Sequence, residues 1–292
     1  MKILDARFRP PYKTLLDSFL FKGYDAPGQI VFRQQMGLSE SVAARTHSMD
    51  DMFKEMDAHN VVKGVVCTRV TDGGSNEELV ELLEKFPGRF IGMPHIQPAD
   101  GADAIAEIER LVVNGSCTGI YLEPGFRMEK IVMHADDSRM DLIWDCCEQY
   151  DIPIILQYGG GKNTVEFYTP TDIDHVMAKF PKLKIMISHG GWPQVMDFIH
   201  QAYKHPGVYI SPDCYFDGYP GSHDYIVAAN GILQDKMIFG SAYPLYSLKD
   251  TIAMYRSNLK EEVVSKIMYE NGARFFKLDD AAAVTLADNH SK

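Results

Sequence analysis

Eight short apolar runs punctuate the chain, at residues 2–6, 62–68, 90–96, 118–122, 153–157, 183–188, 207–211 and 237–241. Most are nearly continuous in Val, Ile, Leu, Met and Phe rather than alternating with polar residues. Runs of that length fit strands buried on both faces of a parallel sheet. Stretches with helical periodicity lie between them. Ser48 can cap a helix with Asp50 and Asp51 in its first turn and Met49, Phe53, Met56 and Val61 along its apolar stripe. Ser75 opens the next, with Leu79, Leu82, Leu83 and Phe86 inward. Further helices are predicted over 102–113, 137–150, 171–180, 192–204, 223–230, 248–258 and 261–276. Pro87-Gly88, Pro181 and Pro206-Gly207 end three of them. Strands alternating with helices predict right-handed βαβ units, and eight such units fit an α/β fold of the (β/α)8 TIM-barrel type. The first strand is not followed by GxGxxG, which argues against an open doubly wound sheet. The expected organisation is one barrel domain over 1–278, with an insertion at 10–47 after the first strand and a loosely held tail at 279–292.

Composition narrows the partners. With 46% hydrophobic and 24% charged residues, the 292-residue chain is neither disordered nor fibrous. Its 29 basic and 40 acidic residues give a net charge of -11, which argues against nucleic acid. A small anionic substrate stays open, because it responds to local charge in a cleft. No apolar run is long enough for a membrane span, and the start lacks the pattern of a signal peptide. Five cysteines without a CxxC read as reduced thiols, so the expected location is cytoplasmic. Within 10–47, Phe19, Leu20, Phe21, Ile30, Val31 and Phe32 are too apolar for a solvated loop. They are expected to cover the barrel mouth or a subunit interface, the latter implying a homo-oligomer.

Chemistry in such barrels sits at the C-terminal ends of the strands. Read in order, those ends carry Arg7 and Arg9, Cys67 and Arg69, His95 and Gln97, Glu123 and Arg127, Gln157 and Tyr158, His189, Asp213 and Tyr215, then Ser241 and Tyr243. Arg7 and Arg9 alternate with Phe8, so both point the same way, inward. Two inward guanidiniums need an anion, either a bound carboxylate or a structural partner such as Glu123 or Asp213. His189 precedes Gly190-Gly191 at a helix start, which favours a neutral imidazole suited to acid–base work or hydrogen bonding. Asp213 is a candidate acid or base, an orienting partner for an Arg, or a turn residue after Pro212. Tyr158 and Tyr243 either donate to a substrate oxygen or pack. The candidate catalytic residues are His189, Asp213 and Tyr158. The candidate substrate-binding residues are Arg7, Arg9, Glu123, Gln157 and Tyr243. Cys67 reads as a buried thiol, and Gly159-Gly-Gly-Lys162 lacks the spacing of a phosphate loop and reads as backbone beside a ligand.

Several phrases carry a family resemblance: Ile3-Leu-Asp-Ala-Arg-Phe-Arg-Pro-Pro, Gly119-Ile-Tyr-Leu-Glu-Pro, Pro153-Ile-Ile-Leu-Gln, Leu183-Lys-Ile-Met-Ile-Ser-His-Gly-Gly, Met237-Ile-Phe-Gly-Ser-Ala-Tyr-Pro and Tyr269-Glu-Asn-Gly-Ala-Arg-Phe-Phe. Over almost its whole length the chain resembles the amidohydrolase superfamily. The similar branch contains aminocarboxymuconate-semialdehyde decarboxylase, resorcylate decarboxylases and pyrone-dicarboxylate lactonase. That resemblance implies a distorted (β/α)8 barrel and a small carboxylated substrate. It also implies a divalent metal held by an opening Asp-x-His-x-His, a strand-five His and a strand-eight Asp. Here those positions hold Arg7, Arg9, Gln157 and Ala242, and of the usual ligands only His189 remains. Arg cannot deprotonate to become a ligand, so no metal and no other cofactor is expected. Three readings follow. The first is a metal-independent lactone hydrolase, lactone isomerase or decarboxylase. The second is a non-catalytic anion-binding barrel. The third is a hydrolase with an unusual metal set of His189 with Glu123 or Asp213.

Overall fold

The computed structural model describes residues 1–69, 74–160 and 165–278. Seven parallel strands form, β1 (Ile3–Asp5), β2 (Val61–Cys67), β3 (Phe90–Met93), β4 (Ile120–Leu122), β5 (Ile154–Gln157), β6 (Ile185–Ser188) and β7 (Val208–Ser211). They run as β1-β2-β3 and as β4-β5-β6-β7. The two sheets join through a parallel bridge between His95 and Tyr121. At the other side, segment 237–241 closes the ring. Met237 bridges Ile210, the Ile238 N–H donates to the Ile210 carbonyl, and the Ala6 N–H donates to that of Phe239. The chain is therefore the (β/α)8 barrel its rhythm predicts.

The eighth run is the one element that departs from expectation. It makes isolated pairings rather than a continuous strand among the described residues. Two of its donors go elsewhere, that of Phe239 to the Ile267 carbonyl and that of Ser241 to Asp5. The Asp5 side chain accepts the Ser241 N–H at 2.8 Å, together with the Ser241 hydroxyl, so a carboxylate takes the donor that a backbone ladder would use. The same carboxylate accepts the Arg7 N–H at 3.0 Å. Burial raises the Asp5 pKa to about 6 against these hydrogen bonds.

The outer layer comprises α1 (Pro27–Met36), α2 (Val42–Thr46), α3 (Met49–Ala58), α4 (Asn76–Lys85), α5 (Ala102–Ile108), α6 (Asp141–Gln149), α7 (Pro170–Lys179), α8 (Val195–Lys204), α9 (Ser222–Ala229), α10 (Leu248–Asn258), α11 (Glu261–Ser265) and α12 (Asn271–Phe275). Ser48 and Ser75 cap α3 and α4 as expected, accepting from Asp51 at 3.2 Å and Glu78 at 3.1 Å. Leu4, Ala6, Val65, Cys67, Ile91, Met93, Tyr121, Ile155 and Met186 fill the barrel interior, where Phe275 and Phe276 join them. The opposite faces of the strands pack on the helices in a larger layer.

The insertion folds as a 3-10 turn (Lys13–Asp17), α1 and α2. Leu15 packs beside Gly74 and Thr68 past the end of β2. Phe32 and Leu38 pack on Cys214, Ala242 and Tyr246, past β7 and the closing segment. The segment thus lies across C-terminal strand ends. Leu20 and Phe21 are buried there, whereas Phe19, Ile30 and Val31 stay exposed. The 279–292 tail and residues Gly161 and Lys162 of the glycine-rich loop lie outside the described residues.

Candidate active site

Strand pleating decides which side chains reach the barrel axis. Along β3 the interior positions are Ile91 and Met93, so His95 continues that face; along β4 Tyr121 is interior and Glu123 continues it; along β5 Ile155 precedes Gln157. His189 and Asp213 reach the same region by another route. Both have left-handed backbones just past β6 and β7, with φ of 60° and 46°. That conformation turns the chain at the strand end and is uncommon for residues other than glycine.

These residues form a connected belt. Arg7 Nη2 lies 3.2 Å from His189 Nε2, and His189 Nδ1 lies 2.7 Å from Asp213 Oδ2. Asp213 is fully buried and accepts the Cys214 N–H at 2.6 Å. Burial, helped by Arg7 and Arg69, holds the His189 pKa below its ordinary value although Asp213 pulls the other way. Burial alone would raise the Asp213 carboxyl, but His189, Arg7 and the Cys214 hydrogen bond hold it below the ordinary value. The pair is therefore a neutral imidazole beside a carboxylate. Gly160 lies against this imidazole. A β-carbon there would stand 3.2 Å from His189 Cδ2 and 3.6 Å from Nε2.

Arg7 is 3% exposed, and its Nε and Nη1 have no hydrogen-bond partner. Its guanidinium carbon and that of Arg69 each lie 5.9 Å from the centre of the Tyr121 ring. Tyr121 donates to Gln157 Oε1 at 2.9 Å, which fixes Gln157 within the belt. Glu123 is fully buried and pairs with Arg69, whose Nε is 3.1 Å from Oε1, while Oε2 has no partner. Arg9 is buried, and its charge acts on the thiols of Cys67 and Cys214 alongside that of Arg7. Burial nevertheless pushes Cys67 up to about 11, so it is a thiol and not a nucleophile.

Two expected site residues face elsewhere. Tyr158 follows the interior Gln157, so pleating turns it outward, where it donates to Asp172 at 3.0 Å under α7. Tyr243 stacks on Phe8 at 4.6 Å, and its hydroxyl donates to Glu55 at 2.8 Å under α3. Their strand-end positions misled; the face of the strand decides. Glu123 is drawn to Arg69, not to Arg7 or His189.

One arrangement escaped the sequence. Glu129, from the irregular loop after β4, is buried and takes His95 Nε2 on Oε1 at 2.7 Å and Gln97 Nε2 on Oε2 at 2.6 Å. Nothing periodic marks that loop, so no pattern could have found it. Inward parity along β3 and β4 was the available signal for His95 and Tyr121.

The donors do not suit the divalent metal that the resemblance implies. The Nε2 lone pair of His189 faces an Arg7 N–H, and Nδ1 faces Asp213. Cys214 lies close to both, but burial and Asp213 push its thiol well above the ordinary range, so it offers no thiolate. Gln157 is engaged by Tyr121. A metal there would share its coordination sphere with a permanent guanidinium.

A parallel barrel with a buried polar belt at its strand ends defines the class, and the comparisons give it a family. The amidohydrolase family model matches residues 33–278, and the chain belongs to that family. No curated protein matches it. Among solved structures, an uncharacterised TIM-barrel protein of Bordetella bronchiseptica is 32% identical, with a TM-score of 0.85 over 95% of this chain and 99% of that one. The 2,6-dihydroxybenzoate decarboxylase of Rhizobium is 17% identical, with a TM-score of 0.69 over 96% and 100%. A probable 2-pyrone-4,6-dicarboxylic acid hydrolase of Acinetobacter baumannii, crystallised with citric acid, is 14% identical, with a TM-score of 0.58 over 78% and 88%. The last two share the fold.

Proposed function

We propose that this amidohydrolase is an enzyme acting without a metal on a small carboxylated substrate, by lactone hydrolysis, lactone isomerisation or decarboxylation. The observation that carries the reading is Arg7, a buried guanidinium with two N–H groups that have no partner. Among the described residues no carboxylate lies within ion-pair distance of it; its side-chain hydrogen bond goes to His189. A desolvated cation with spare donors is a receptor for an oxyanion or carboxylate. Arg9 adds positive charge on the same side. His189 accepts from Arg7, and Asp213 lies against His189. Support also comes from the structural neighbours, whose names are those of a carboxylate decarboxylase and a dicarboxylic acid hydrolase.

The test combines elemental analysis with turnover. Protein purified without added metal is assayed on hydroxybenzoates, pyrone dicarboxylates and simple lactones, before and after chelation. The expected result is turnover of at least one compound that survives chelation, with metal far below one equivalent. One equivalent of zinc or manganese, or activity lost to the chelator, sinks metal independence. Tight carboxylate binding with no turnover across the panel would make the chain a binding protein instead.

No helix among the described residues is long and apolar enough to cross a membrane. We further propose a homo-oligomer, because Phe19 at 42%, Ile30 at 37% and Val31 at 48% exposure present apolar surface on one insertion. Light scattering is expected to give a multiple of 32.9 kDa. A monomer mass at micromolar concentration refutes this.

A further inference from the structure

We infer that His95, oriented by Glu129, is the group that moves protons in this site, and that His189 is a clamp for Arg7. The inference rests on the proposed carboxylate chemistry and names the residue that performs its proton step.

His189 is poorly placed for that role. Its Nε2 accepts from Arg7 at 3.2 Å, and Arg7 cannot surrender its proton. Protonating Nε2 would break that hydrogen bond and set an imidazolium against a guanidinium in a buried site. The other nitrogen faces Asp213 at 2.7 Å. Gly160 closes over the ring. Nε2 is thus held by a permanent cation and Nδ1 stands against a carboxylate, at short distance though without hydrogen-bond geometry, and His189 serves to hold the arginine in one orientation.

His95 has the complementary arrangement. Glu129 Oε1 lies 2.7 Å from Nε2, and the Glu129 side chain is fully buried whereas that of His95 is 13% exposed. A carboxylate only accepts, so the proton belongs on Nε2 and the lone pair on Nδ1. Among the described residues Nδ1 has no protein partner. Glu129 itself is locked, since Gln97 occupies its second oxygen at 2.6 Å. The His95 backbone is locked as well. Its N–H donates to Thr68 Oγ1 at 2.7 Å, Thr68 donates to Asn76 at 2.6 Å, and Asn76 donates back to the His95 carbonyl at 3.0 Å. A carboxylate–imidazole pair on so rigid a mount, with one nitrogen free, is the arrangement general acid–base catalysis uses.

The dyad belongs to the same site. The His95 and Tyr121 rings are 6.5 Å apart, and Arg7 lies over the same Tyr121 ring. On the far side the buried, unpartnered Tyr168 hydroxyl feels Glu123, Arg69 and Glu129 together. Among the described residues the titratable side chains in contact with the His95 ring are Glu129 and Tyr121, and Arg69 and Glu123 lie near enough to act on Tyr168 together with Glu129.

The step balances without any further reagent. In lactone hydrolysis, Nδ1 takes a proton from water as its oxygen bonds to the carbonyl carbon. The tetrahedral oxyanion rests on Arg7. The ring C–O bond then breaks, and the imidazolium returns the proton to the departing oxygen. In decarboxylation the carboxylate leaves as carbon dioxide, and its bonding pair stays on the ring carbon. That carbon takes a proton from protonated His95, which water restores.

Steady-state kinetics of His95→Asn, Glu129→Gln and His189→Asn test the inference on the substrate found in the panel. His95→Asn is expected to lower kcat about 100-fold or more with KM within about threefold. Glu129→Gln should lower kcat at least about tenfold and move the limb of the kcat pH profile that reports His95. His189→Asn should mainly raise KM. A kcat for His95→Asn within threefold of wild type overturns the inference. If the wild type turns nothing over, the catalytic reading fails on its own, and nitrogen-15 spectra of the histidines judge the dyad separately. There, with isophthalate as probe, the His95 Nδ1 resonance should shift on binding while Nε2 stays protonated. An unresponsive Nδ1, or a proton on Nδ1, overturns it.

Discussion

Arg7→Met is expected to abolish stabilisation by dicarboxylates while leaving the barrel folded. In wild type, citrate or isophthalate should raise Tm by occupying the unpartnered Nε and Nη1 of a guanidinium that is 3% exposed. Removing a desolvated charge from a bound anion costs roughly 2–5 kcal/mol, or about 30- to 5,000-fold in affinity. The fold loses far less, because Arg7 strands no carboxylate: its hydrogen bond goes to the imidazole of His189. Thermal shift titrations of both proteins decide the matter. A large fall in the variant's Tm without ligand, with no dicarboxylate effect on wild type, would show Arg7 to be a structural ion-pair member.

Asp5 yields the second large effect, in stability rather than binding. Its pKa rises from an unfolded value of 3.8 to about 6, with burial the cause. An acid raised on folding favours the folded state while it is protonated in both states. The contribution is complete below about pH 3.8 and is lost as pH rises through about 6. Two pH units amount to on the order of 3 kcal/mol. Other groups titrate in the same window, His189 among them with the opposite sign, so Asp5→Asn serves as the reference. Urea unfolding of both proteins from pH 3.5 to 7 should show the wild-type advantage shrinking by about that amount. A difference that stays flat across this range, or grows with pH, would mean that Asp5 is ionised in the fold at little expense.

Much of the fold was legible in the chain because buried parallel strands and capped helices write periodic signals. Seven of eight runs became strands, and in the eighth one donor goes to a side chain 236 residues away in sequence, Ser241 to Asp5. No local pattern encodes that pairing. The site was legible where position and face agreed. Arg7, His189 and Asp213 meet as a chain of contacts, and Gln157 lies beside Tyr121. Tyr158 and Tyr243 also follow strand ends, but the pleat turns Tyr158 outward onto Asp172 and Tyr243 stacks on Phe8. Glu129 was invisible, because a loop's course depends on everything it packs against.

The insertion's packing sets the direction in which this site can change. Ala242 stands where the resemblance implies a ligating acid, and it has a left-handed backbone, φ 60°, that Asp tolerates better than Ala. Its surroundings, however, are largely apolar. Its methyl group packs with Cys214 and Tyr246 beneath Phe32 and Leu38. An acid placed there would enter a mostly apolar contact, where the Tyr246 hydroxyl is already bonded to Tyr219. Changing residue 242 therefore means repacking the insertion with it, so the strand-end contact and the segment above it vary as one unit.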